Sequence, residues 1–303
     1  MTDPALPPFS PPPKDAFAGP PAPPSGPEPD VDETFAVLLE TERLAVVSKS
    51  GDIPCHASGR YVRNTLERVL LEKGGFPAAF FANRLDRETS GAVVVAKDRE
   101  TAGALGRATM RREMSKAYLC LARGEWRESA GPDGWCAVSG DLYPATDGEV
   151  FKFRVFVRDG LAPGPDCAGG APWTPRGAPQ RAATRIRPVP WEALGADPAE
   201  LAGYVALECA PETGRTHQIR ATVRSLGLEV VGDKLYGPDR SIYARMCEGR
   251  MTAADRAALL LPRQALHSWR VSLREPGTGA LLSAEASPRA LVDALAAAAR
   301  AAR

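Results

Sequence analysis

No run of apolar residues in this 303-residue chain approaches the roughly 18 that a spanning helix needs, so a helical membrane protein is excluded. The start of the chain shows no basic-then-apolar signal pattern and reaches an acid at Asp3, which makes the cytoplasm the expected compartment. Six cysteines are present (Cys55, Cys120, Cys136, Cys167, Cys209 and Cys247), but no two form a C-x-x-C pair and their spacing is irregular. That argues against a zinc site or a disulfide framework and suits a reducing environment. G-x-S-x-G, a phosphate-binding P-loop, H-E-x-x-H and a dinucleotide fingerprint are all missing. No stretch of 20–50 residues repeats, which excludes a solenoid or propeller.

Net charge is also scarce, at +1, yet that figure hides an asymmetry. Residues 1–40 hold seven acids against one base, Lys14, a net of −6 that leaves +7 on the remaining 263 residues. A basic body suits a polyanionic partner, although many enzymes of small molecules match this value.

Proline is concentrated rather than scarce. The first 30 residues contain twelve of the 29 prolines, with Gly, Ala and Ser between them. Proline removes backbone donors and fixes φ, so residues 1–30 are expected to be a disordered or polyproline-II arm, with one folded unit over 31–303. Strands are expected at Phe35–Leu39 and Leu44–Ser48. A helix should follow, with Asn64 as N-cap, Glu67 completing a capping box and Gly74 as stop. Asp98 should cap a second helix running to about Glu113. Lys116–Arg123 alternates as a strand that puts Lys116 and Tyr118 on one face and Ala117, Leu119 and Leu121 on the other.

Residues 126–203 are the least legible. A strand is expected over Val150–Arg158, a long loop or insertion over about 159–180, and strands at Ala183–Pro188 and Tyr204–Cys209. From Arg215 a helix should bury Ile219, Val223 and Leu226, end at Gly227, and leave Arg220 and Arg224 on an exposed edge. Arg215, His217, Arg220 and Arg224 crowd into ten residues at a helix start, where backbone N–H groups already favour a phosphate. Ser287 and Pro288 should open a last helix anchored by Leu291 and Leu295. This mixture of strands and helices is α+β in class.

The chemistry concentrates at Asn83-Arg84-Leu85-Asp86-Arg87-Glu88-Thr89-Ser90-Gly91, a polar turn running into the strand Ala92-Val93-Val94-Val95-Ala96. It places one carboxylate, Asp86, between two arginines, whose charge is expected to keep it ionised. A single carboxylate with arginines and no metal cluster fits nucleophilic catalysis at a carbon or electrostatic support of a cation. Glycoside hydrolysis usually needs a second carboxylate, and Glu88 need not face Asp86. By residue pattern alone the chain reads as an enzyme acting on RNA or sugars.

Arg84–Gly91 resembles the central motif of the RluA-type pseudouridine synthases. Two further segments resemble that family's signatures, Thr213-Gly214-Arg215-Thr216-His217-Gln218-Ile219-Arg220 and Val231-Gly232-Asp233-Lys234-Leu235-Tyr236-Gly237. The resemblance runs from roughly Glu40 to Pro276. It departs at Asn83, where the family usually has His, and at Ser50, where a Pro commonly follows the lysine. It implies one catalytic domain of pseudouridine synthase fold: a mixed, largely antiparallel sheet flanked by helices with a cleft across its middle.

The resemblance further implies that Asp86 is the nucleophile, that Tyr118 stacks on the target uracil and helps remove the C5 proton, and that Arg215 keeps Asp86 ionised. Arg84 is expected to fill or brace the vacated base stack, His217 and Arg220 to hold phosphates, and Leu266 to pack near the aspartate. The reaction needs no metal and no organic cofactor. The partner is structured RNA, ribosomal or transfer, met by a monomer without an obligate protein partner or a membrane. The family often carries a small S4 RNA-binding domain before the catalytic one, and the proline-rich arm is too short to be it. A catalytically silent RNA-binding protein of the same fold is the alternative reading.

Overall fold

The computed structural model describes residues 27–147, 153–164, 167 and 172–303. All but the last four residues of the expected arm lie outside these, as do Val150, Phe151 and Lys152 of the strand expected over 150–158 and part of the expected insertion.

The chain begins with two strands, β1 (Phe35–Glu40) and β2 (Leu44–Lys49). It continues through α1 (Leu66–Glu72), β3 (Phe80–Phe81), β4 (Ser90–Ala96), α2 (Arg99–Met110) and β5 (Ser115–Arg123). The poorly legible middle forms β6 (Cys136–Thr146), β7 (Phe153–Arg158), β8 (Thr174–Pro175) and β9 (Gln180–Val189). Then come β10 (Tyr204–Pro211), α3 (Gln218–Ser225), β11 (Glu229–Val230), α4 (Ser241–Cys247) and α5 (Ala253–Leu259). β12 (Leu266–Arg274), β13 (Leu281–Glu285) and α6 (Arg289–Ala301) complete the fold.

All these strands join one sheet, whose main path runs β1-β2-β4-β12-β5-β10-β9-β6-β7. Every pairing described is antiparallel except β4 with β12. The fold is therefore α+β with a mixed, mostly antiparallel sheet, as the resemblance implies.

Strand alternation sorts side chains into cores on opposite faces. Ala45, Val47, Val93, Val95, Tyr118, Cys120 and Leu207 share one core with Leu66 and Leu70 of α1 and Ile219 and Val223 of α3. Leu119 and Leu121 point the other way, into a core with Leu291 and Leu295 of α6. The run of three valines in β4 is buried on both faces because each face is covered, Val93 and Val95 entering one core and Val94 another that includes Leu105 of α2. Gly91 stands where β4 meets β12. It has φ +102°, and a Cβ there would lie 2.2 Å from the Ser268 carbonyl oxygen, so only glycine lets the two strands approach.

Helix starts are set by capping side chains. Asp98 caps α2 as expected, its Oδ1 accepting from Thr101 N at 2.7 Å. In α1 the cap is Thr65, not Asn64: Thr65 Oγ1 accepts from Arg68 N at 3.3 Å, while the Asn64 amide donates to the Pro29 carbonyl at 2.7 Å. Glu67 does not reach back to close a capping box and instead meets His56 Nδ1 at 3.1 Å. α3 begins at Gln218, three residues later than expected, because His217 adopts the left-handed conformation at φ 58°.

Candidate active site

Asp86 sits in the loop between β3 and β4, and Asn83 ties that loop down. The Asn83 side chain accepts from Val94 N at 2.8 Å and donates to the Ala92 carbonyl at 3.4 Å, in effect extending the ladder of β4. The side chains of Thr89 and Ser90 bond across to other segments rather than to their own turn. Thr89 Oγ1 accepts from Gln264 Nε2 at 2.6 Å, and Ser90 Oγ lies 2.8 Å from His267 Nδ1. His267 Nε2 lies 3.0 Å from the Ala286 carbonyl, so this histidine is hydrogen-bonded at both ring nitrogens within the protein.

The arginines that flank Asp86 in sequence do not hold it. Arg84 is exposed, and Arg87 turns to Asp52 and Glu88. Glu88 is in turn bridged by Lys234 Nζ at 2.9 and 2.8 Å. The cation at Asp86 comes from α3: Arg220 Nη1 donates to Asp86 Oδ2 at 2.8 Å. This corrects two expectations. Arg220 is buried, at 7% exposure, and does not lie on an exposed edge open to phosphate. Arg215, expected to keep Asp86 ionised, is exposed and donates from Nε to the Arg181 carbonyl at 3.2 Å. The physical reason is that α3 packs into the core, so its arginine at 220 enters a polar pocket already lined with acids.

Asp233 completes that pocket. It is fully buried and takes Arg220 in a fork, Oδ2 accepting from Nε at 2.6 Å and Oδ1 from Nη2 at 2.8 Å. Asp233 Oδ1 also accepts the backbone N–H groups of Leu235 and Tyr236 at 2.9 and 3.0 Å. The guanidinium lies over the Tyr236 ring, 4.9 Å from its centroid. The segment that resembles the family's third signature thus supplies the group that fixes Arg220.

His217 approaches the same oxygen, its Nε2 4.0 Å from Asp86 Oδ2, and its side chain is 17% exposed. The Asp86 side chain itself is 31% exposed, so it is reachable from solvent. Burial alone raises its pKa. The His217 ring, which is charged only in acid, and the hydrogen-bonded Arg220 outweigh that and hold the carboxyl below the usual aspartate range.

Tyr118 on β5 belongs to the core that also holds Leu85, Leu266, Leu235 and Tyr236. Burial pushes its hydroxyl up to about 12, the Asp86 charge adds to the rise, and Ser268 and Asn83 partly oppose it. The phenol is therefore protonated at neutral pH. Leu266, at the start of β12, is buried in the same core, whereas Arg84 faces solvent.

Lys49 is a member of this site that sequence reasoning passed over. It is 2% exposed, and its Nζ donates to the carbonyls of Ser50 and Arg87 at 2.9 and 3.0 Å. Burial lowers its pKa to about 8, against the pull of Cys55 and Asp86. A lysine at the end of a strand reads as exposed, and nothing in its spacing reveals the carbonyls that draw it inward.

His217 has a consequence for stability. Burial, with Arg220 adding to it, pushes its pKa from 6.5 down to about 4, although Asp86 and Asp233 pull upward. A depressed folded pKa means that the stabilisation is complete above about 6.5 and is lost as pH falls toward about 4, up to about 3 kcal/mol for this residue. Asp86, also depressed, adds a loss of the same sign at lower pH. Urea midpoints are expected to drop steeply between pH 6.5 and 4, and to drop less in His217→Asn. Equal slopes in the two proteins would contradict this assignment.

A family model described as RNA pseudouridylate synthase matches residues 43–225. The ribosomal large subunit pseudouridine synthase D of Nitrosomonas europaea is 29% identical over 253 residues, covering 81% of this chain and 60% of that protein. The mitochondrial tRNA pseudouridine(32) synthase of Saccharomyces cerevisiae is 29% identical over 203 residues, covering 67% of this chain and 37% of that protein. The chain thus spans less than two thirds of the length of these curated relatives. A solved structure, human RNA pseudouridylate synthase domain containing 1, superposes with a TM-score of 0.57 at 24% identity, covering 86% of this chain and 85% of that one, a likeness of fold.

Proposed function

The chain belongs to the RNA pseudouridylate synthase family, and from that premise we propose that it isomerises uridines in structured ribosomal or transfer RNA to pseudouridine. The observation that carries the proposal is the paired state of Asp86. Arg220 and His217 both address Oδ2, and neither engages Oδ1. An ionised carboxylate anchored at Oδ2 and still 31% exposed is equipped to attack carbon.

The target uridine hides C1′ and C6 while stacked, so it must be flipped out at a cost of a few kcal/mol. Asp86 then acts through Oδ1, either at C6 of the base or at C1′ of the ribose. The N1–C1′ bond breaks, C1′ rejoins at C5, the C5 proton leaves and N1 takes one up, so the RNA keeps its mass. The Tyr118 ring stacks on the uracil, where an aromatic contact contributes roughly 1–3 kcal/mol. Arg84, exposed and one residue from Leu85, fills the vacated stack. Arg220 holds Asp86 rather than phosphate, and Leu266 packs beneath the site.

The phosphate role passes to Arg215, whose side chain reaches no acid among the described residues and lies beside the His217 turn. Residues 31–303 serve as one catalytic unit. Action as a monomer is part of this reading, and the six free cysteines support a reducing, cytoplasmic setting. A catalytically silent RNA binder is not favoured by any feature of the site. Arg215→Ala is expected to weaken RNA retention on filters and to flatten its dependence on salt by about one counterion, because fewer cations are released on binding. An unchanged salt slope would remove Arg215 from the phosphate path.

A further inference from the structure

Tyr236 Oη accepts the backbone N–H of Arg154 in β7 at 2.7 Å and lies 3.1 Å from His217 Nδ1. The two rings meet edge to face, centroids 5.7 Å apart. With Arg154 donating to the hydroxyl oxygen, the hydroxyl proton points to Nδ1. A neutral imidazole that accepts at Nδ1 carries its own proton at Nε2. At the far side of the ring Nε2 faces Asp86 Oδ2, and a carboxylate can only accept. The Tyr236 hydroxyl sets this tautomer, and at 4.0 Å, beyond a hydrogen bond, an Nε2–H dipole aimed at the carboxylate is also the favourable one. The residue is the N-cap of α3 but makes no side-chain capping bond, so its ring is left for Tyr236 and Asp86.

We propose that His217 is a positioning residue for Asp86, locked as the Nε2–H tautomer by the Arg154–Tyr236 relay so that its N–H dipole and Arg220 together hold Oδ2 and leave Oδ1 to react. The proposal rests on Asp86 being the nucleophile, and it deepens that reading. It also reverses the expectation that His217 contacts phosphate. The depressed pKa of His217 agrees with a ring that is neutral at working pH. A neutral donor orients the carboxylate without adding a second full charge, which would make the anion a poorer nucleophile. The relay also gives the edge strand β7 a part in the site, through one backbone N–H.

Asparagine is the informative substitution, because it tolerates the left-handed φ of 58° that His217 adopts and is too short to replace the ring. The probe is total RNA labelled with tritium at uracil C5, from cells lacking this chain, because closing the C5–C1′ bond expels that hydrogen. With enzyme in excess, His217→Asn is expected to slow tritium release by about 10²-fold, the scale for removing one oriented donor. Filter retention and its salt slope should stay as in the unsubstituted protein. Tyr236→Phe keeps the imidazole but frees its tautomer, and should slow release by roughly tenfold, again without loss of affinity.

Release at the unsubstituted rate in both variants, with Asp86→Asn inactive, would overturn the positioning role and leave the reading of Asp86 standing. Loss of affinity with a flatter salt slope in His217→Asn would instead make His217 a phosphate ligand. If His217→Asn did not fold, the Tyr236→Phe rate decides alone, and an unslowed rate there sinks the proposal. Full activity of Asp86→Asn would bring down both readings.

Discussion

Asp86→Asn is expected to bind RNA as the unsubstituted protein does and to form pseudouridine more slowly by roughly 10⁴-fold or more, the scale on which losing a nucleophile is felt. The amide fills nearly the same volume, so the loop held by Asn83 and Lys49 keeps its place. It accepts one hydrogen bond from Arg220 but carries no charge and no nucleophilic oxygen. The change therefore separates chemistry from folding. Rates are to be read as tritium release from C5-labelled RNA, and affinity by filter retention. A variant slowed less than tenfold would move the bond-forming role to another group.

The second large effect concerns stability. Asp233→Ala removes both acceptors that fork Arg220 and the acceptor for two backbone N–H groups. A buried guanidinium is then left with Asp86 alone. Breaking a buried pair from one side costs about 3–5 kcal/mol. For a domain of this size that amounts to a fall in Tm of about 10 °C. Activity should fall as well, since the arginine that anchors Oδ2 loses its own anchor. Replacing both partners, as Arg220→Met with Asp233→Leu, should recover much of the lost stability, because apolar groups of similar volume need no partners. It should recover none of the activity. A single Asp233→Ala variant that melts within 2 °C of the unsubstituted protein would show that the pair is solvated and not structural.

The contrast between these acids shows what could be read from residues alone. The strands β2 and β4 were legible because continuous apolar runs have one physical outcome, burial within a sheet. Asp98 was legible as a cap because the bond it makes is local, three residues long. Asp86 was legible from its motif, but its partner was not. A polar helix edge looks alike whether it meets water or buried acids, and Arg220 reaches Asp86 across 134 positions. Arg87, beside Asp86 in sequence, turns to other acids because the turn at 86–89 points successive side chains in different directions.

The middle of the chain failed for another reason. β6 carries Gly140 and Pro144, residues that ordinarily interrupt strands. Gly140 is there because a Cβ would lie 2.1 Å from the Val157 carbonyl, where β7 passes close. The capping box of α5, Thr252 with Asp255, was present in the sequence but too short a signal to stand out within a segment without a clear apolar stripe. Long-range fits of this kind, a glycine under a neighbouring strand or an arginine under a distant loop, are properties of the assembled sheet.

In the proposed reaction, uridine becomes its C-glycoside isomer without an atom added or removed. The most direct measurement is nucleoside analysis of total RNA from cells lacking the chain, after incubation with the purified protein. Pseudouridine should appear at discrete positions, with the intact RNA unchanged in mass and no uracil set free. Release of free uracil, or no new pseudouridine from a folded protein that binds the RNA, would contradict the account.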